Sequence, residues 1–194
     1  ARVFFGSDEA AAAFWAEKLG LPLEKVIQAM ASPPDIQGHI RAKLMKAGGP
    51  GYVKPESTDF PSIEEVTRFT INSGAIPTLA FLDGTTEGER DLEYPLDSFM
   101  EIGVAAVNII PDRSWNIQDP DTRRVKVEAM NRFVDLAQAR NLPIAAGTEM
   151  NAYGQRFVDD FIAPEMQHAA PAFISGAFIF YAHTWLQRIA GMGY

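Results

Sequence analysis

Three times in this chain a helical pattern closes on a turn residue and is followed by an apolar run that ends in polar side chains. The runs cover residues 75–82, 104–110 and 142–146, and the turn residues before them are Gly74, Gly103 and Asn141. Continuous apolar runs, without alternation, mark strands covered on both faces, the habit of parallel sheets. Helix and strand units repeated in this way predict an α/β fold with a parallel sheet, either part of a barrel or an open doubly wound sheet. In both architectures ligands collect at the C-terminal ends of the strands. That rule selects Asp83, Asp112, Arg113, Glu149 and Asn151 as candidate site residues.

The flanks read differently. Arg2 to Phe5 looks like a short strand closed by Gly6, and Ser7 caps a helix running to Leu19. A second helix covers Leu23 to Ala31 and stops before Pro33-Pro34, and a third covers Asp35 to Ala47. Gly48-Gly49-Pro50-Gly51 is a firm break. Ser62 and Glu65 form a capping-box pattern at the next helix start. Asp121 to Arg140 is a long amphipathic helix with Val125, Met130, Phe133, Val134 and Ala137 near one face. Gln155 to Phe161 and Ala163 to His168 look helical, and Phe173 to Trp185 is a buried helix or a strand followed by a helix. The expected organisation is one α/β domain over 1–194, with a helical, insert-like region at 1–60, strand and helix units at 61–151 and C-terminal helices at 152–194.

Asp and Glu total 25 against 17 Lys and Arg, a formal net charge of −8. An acidic surface repels phosphate backbones, which argues against nucleic acid as a partner. A small anionic substrate stays open, because a bound cation can reverse the local field. The chain has no Cys, so disulfides and thiolate metal sites are excluded. No apolar run is long enough to span a bilayer, and the first residues lack the order of a signal peptide, so no membrane partner and a cytoplasmic location are expected. The chain begins with Ala in a strand-like stretch, and the expectation is a piece or a mature chain cut from something longer. The apolar C-terminal stretch hints at a homo-oligomer.

Several stretches then resemble one family. Gly38-His39-Ile40-Arg41-Ala42-Lys43-Leu44, followed by Gly49-Pro50-Gly51-Tyr52-Val53, is similar to a helix and loop of the PHP (polymerase and histidinol phosphatase) metal-dependent phosphoesterases. Pro61-Ser62-Ile63-Glu64-Glu65 and Gly74-Ala75-Ile76-Pro77-Thr78-Leu79-Ala80 resemble that family's helix and its strand ending Leu-Ala-His-Pro. Gly147-Thr148-Glu149-Met150-Asn151 looks like its closing Gly-Ser-Asp-Phe-His motif. The order agrees from about His39 to Asn151.

The resemblance implies a distorted, TIM-like barrel, hydrolysis of phosphoesters, a divalent metal cofactor (magnesium, manganese or zinc), and Glu149 and Asn151 as metal ligands. Phe81 stands where the family has a strand-end His ligand, and Glu149 and Asn151 replace an Asp and a His. A carboxamide oxygen suits hard cations better than zinc. With only His39, His168 and His183, no histidine-rich cluster can form. From the residues themselves, Asp83 and Arg113 are the catalytic candidates, and Asp112, Trp115, Asn116 and His183 are candidates for substrate contact. Arg113 suits bidentate recognition of phosphate or carboxylate. Two rival expectations are a non-catalytic PHP-like domain that binds a small anion or supports a partner, and a metal-dependent sugar isomerase-type barrel.

Overall fold

The computed structural model describes residues 2–150 and 156–193. The chain separates into two compact units, 1–60 and 61–194.

The first unit is helical. It contains α1 (Arg2–Phe5), α2 (Asp8–Leu19), α3 (Leu23–Met30) and α4 (Pro33–Ile40), with wider helical turns at Arg41–Met45. The strand expected at Arg2 to Phe5 is therefore a helix. Val3 and Phe4 stand almost fully exposed, Phe4 lying edge-on to Phe5 at 5.1 Å between ring centroids, and Phe5 packs on Phe14 at 4.8 Å. With no neighbouring strand among the described residues to pair with, a four-residue apolar run has no reason to stay extended. Ser7 caps α2 by accepting from the Ala10 amide at 3.1 Å, and Gly20 closes it in the left-handed conformation. Pro33-Pro34 open α4 instead of merely ending α3, because proline at a first helical turn forfeits only an amide that has no partner there.

A 3-10 turn at Ser57–Asp59 ends the first unit, and the second opens with α5 (Ile63–Asn72). Its capping box forms as the sequence predicts: the Glu65 amide donates to Ser62 Oγ, and the Ser62 amide donates to the Glu65 carboxylate. Then come β1 (Thr78–Phe81), α6 (Glu87–Arg90), α7 (Glu93–Ile102), β2 (Ala106–Ile109), α8 (Asp112–Trp115), α9 (Pro120–Ala139), β3 (Ile144–Ala146) and α10 (Ala170–Ala190). The sheet is parallel throughout, in the order β1-β2-β3, with Phe81 opposite Ile109 and Ile109 opposite Ala146. The fold is thus α/β with an open three-stranded parallel sheet. The three turns before the strands share one backbone solution: Gly74, Gly103 and Asn141 have φ of 71°, 111° and 57°. Asparagine is the side chain that tolerates this region best after glycine.

Phe81, Ile109, Val107 and Ile144 from the strands meet Met130, Phe133, Val134 and Ala137 from α9 in one core. Phe81 stacks on Phe133, centroids 4.3 Å apart. Residues 156–161 are irregular, which corrects the helix expected over Gln155 to Phe161; Gln155 itself lies outside the described residues. Only a single 3-10 turn, Pro164–Met166, forms where a helix over Ala163 to His168 was expected. The stretch Phe173 to Trp185 is wholly helical, within α10. That helix passes so close to β3 that a Cβ at Gly176 would lie 2.0 Å from the Ile144 carbonyl oxygen. Its far end returns to the turn before β1, where Gln187 Nε2 donates to the Gly74 carbonyl at 2.9 Å.

Candidate functional site

The residues just past β1, β2 and β3 converge. Arg113, in the first turn after β2, donates from Nη1 to Glu149 Oε2 at 2.8 Å, and its Nη2 lies 3.9 Å from Asp83 Oδ2. Two carboxylates 66 residues apart in sequence therefore face one guanidinium, because parallel strands bring their C-terminal ends to one edge.

Asp83 is buried and well satisfied. Its Oδ1 accepts from the Thr85 amide at 3.0 Å and from the Thr85 hydroxyl, and its Oδ2 accepts from Lys126 Nζ at 2.9 Å. Burial pushes the Asp83 carboxyl up, but the bonds from Thr85 and Lys126 outweigh it and hold the group below the ordinary value of 3.8. The turn that carries it is clamped from behind: the Leu82 amide donates to Glu89 at 2.6 Å, and the Gly84 amide and Thr86 hydroxyl donate to its other oxygen. Asp83 is thus both the turn residue before Gly84 and a member of the strand-end cluster.

A second group stands beside it. Trp115 Nε1 donates to Asp159 Oδ1 at 2.6 Å, and the Arg156 guanidinium lies over the Trp115 ring, 4.8 Å from its centroid. Burial raises the Asp159 carboxyl above its ordinary value; the Trp115 bond opposes this, while nearby Asp112 adds to it. Asp112 accepts from Asn116 Nδ2 at 2.9 Å, so these two candidates chiefly brace each other on α8. His183 is half-buried on α10, on a different element from the loops that carry the cluster. Asn151 lies outside the described residues.

Sequence reasoning missed Lys126, Glu89, Arg156 and Asp159. For Lys126 a signal existed: it falls four residues before Met130 on the core-facing stripe of α9, where an unpaired ammonium is costly. For Asp159 and Arg156 no periodic pattern marks the segment.

The expected metal can be tested against these donors. Among the described residues no three His, Asp or Glu side chains come together as a metal-holding group. Asp83 and Glu149 are both engaged by fixed cations, and an ion between them would face the Arg113 guanidinium. Phe81, at the position of the family's strand-end His, turns into the core at 2% exposure. The described residues do not by themselves fit a metal centre.

Arg113 keeps unused capacity. Its Nε is buried and has no hydrogen-bond partner among the described residues, and its Nη2 is too far from Asp83 for a hydrogen bond. The edge formed by Nε and Nη2 is the fork that receives a two-oxygen acceptor. Neighbouring Ser114 is fully buried, and its Oγ also has no partner among the described residues. No family model, no curated protein and no solved structure matches the chain.

Proposed function

We propose that the strand-end cluster of Asp83, Arg113, Lys126 and Glu149 binds a small molecule bearing a phosphate or carboxylate, on a scaffold related to the PHP-like distorted barrel. The observation that carries this reading is the unsatisfied Nε–Nη2 edge of Arg113, held between two carboxylates at the ends of the parallel strands. The ligand's oxyanion reaches the guanidinium from its exposed side, at Nη2, while Lys126 supplies a second positive charge and Glu149 fixes the guanidinium plane. Trp115, on α8 with Arg113, and Asn116 at the end of that turn border the site.

The test is calorimetric titration of the chain with inorganic phosphate and with a set of phosphomonoesters and uronates. Binding lost in Arg113→Ala and retained in Arg90→Ala is the expected result. Equal binding by the wild type and Arg113→Ala sinks the reading.

A second reading is phosphoester hydrolysis assisted by a divalent metal, with Asp83 and Glu149 as oxygen donors. It is favoured by the convergence of two hard carboxylates on one point. It needs further ligands from beyond the described residues, where Asn151 falls. Elemental analysis separates the two. Stoichiometric magnesium, manganese or zinc that disappears in Glu149→Gln supports hydrolysis; metal affinity unchanged by that substitution counts against it.

A further inference from the structure

We propose that α10 pairs with α10 of a second copy, antiparallel, making the protein a two-fold symmetric dimer. One side of α10 is already occupied: Ala172, Phe173 and Gly176 are buried, and Gly176 touches the β3 backbone. The opposite side carries Ile174, Phe178, Tyr181, Trp185 and Ile189, each between 54% and 71% exposed. Their steps of four, three, four and four residues keep them within one narrow stripe of a 3.6-residue helix. A helix apolar on both sides is a buried helix, and no helix among the described residues is long and apolar enough to cross a membrane.

The order of the stripe identifies the partner. It has isoleucine at both ends and aromatics between, nearly symmetric about Tyr181. Laid antiparallel on itself, Ile174 meets Ile189 of the second copy, Phe178 meets Trp185, and Tyr181 meets Tyr181 across the two-fold axis. Such isologous pairing is the common form of a dimer interface. Charge selects the direction. Arg188 is the one Asp, Glu, Lys or Arg within α10. A parallel pair would set the two Arg188 side chains side by side, whereas the antiparallel pair puts them at opposite ends.

The area is sufficient. An aromatic side chain presents about 150–250 Å², so the exposed parts of the five residues amount to roughly 500 Å² per protomer. Across the two protomers that is roughly 1,000 Å², the least that a specific interface needs.

The absence of cysteine makes the test clean. Sedimentation of the whole chain between about 1 and 100 μM should give a dimer, and Phe178→Glu with Tyr181→Glu should give a monomer with unchanged helix content. Single-cysteine variants then read the direction under mild oxidation. Tyr181→Cys should cross-link to itself. Ile174→Cys and Ile189→Cys should cross-link only when mixed, and neither alone. A monomer at every concentration overturns the proposal and leaves the stripe to a different protein. Self-linking of Ile174→Cys overturns the antiparallel arrangement.

Discussion

The two compact units hold themselves together by different means. In 1–60 the buried apolar side chains are few and small: Ala11, Ala12, Leu19, Val26 and Ala29. Its helices contact their sequence neighbours, α2 with α3 and α3 with α4, so each contact closes only a short loop. In 61–194 the core joins residues from Phe81 to Phe173 across three parallel strands and two long helices. Local contacts form readily and fray independently; the non-local core forms late and yields all at once. The candidate site lies entirely in the second kind of structure, which suits a constellation that must be held to within a fraction of an ångström.

The contrast can be broken most forcefully from the core side. Phe133→Ala should cost about 3–5 kcal/mol and unfold 61–194 in one transition, seen by near-ultraviolet dichroism under denaturant. Val26→Ala removes two methyl groups, about 1.6 kcal/mol at ~0.8 for each, and should raise hydrogen exchange only within 1–60. Exchange rising equally in both units would show that they unfold as one.

A second prediction concerns charge within the site. Asp83 is held below its ordinary value, so its contribution to stability is complete above about pH 3.8 and is lost as pH falls through the depressed value. Asp159 is raised, so its contribution is complete below about pH 3.8 and is lost as pH climbs through the raised value. Melting temperature followed against pH should therefore rise less steeply on acidification towards pH 4 in Asp159→Asn than in the wild type. Asp83→Asn should lose its effect only at the acid end. Identical curves for Asp159→Asn and the wild type would contradict the burial that raises the Asp159 carboxyl.

The smallest effect is expected at Asn141. Replacing it with Gly should change stability by no more than a few tenths of a kcal/mol, relief of the positive φ offsetting added freedom in the unfolded chain. Asn141→Val at the same position should cost about 1–2 kcal/mol.

How much of this could be read in the letters differs between the same two regions. The three strands, their turn residues, the Ser62 capping box and the meeting of Asp83, Arg113 and Glu149 all follow from local patterns plus one rule about parallel sheets. Lys126 escaped because helical periodicity says where a side chain points and not what it meets. Arg2 to Phe5 failed because an apolar tetrapeptide carries no period of its own. Asp159 and Arg156 were invisible because irregular segments are fixed by their partners, here Trp115.

Gly176 sets a spacing that no other residue could supply. With hydrogen as its side chain, α10 rests directly on the Ile144 backbone; a methyl group there acts as a wedge. Because the same helix also reaches the Gly74 turn, the wedge would tilt a rod anchored at two ends of the sheet. Alanine at 176 would thus disturb the sheet's far margin from a position that never touches it.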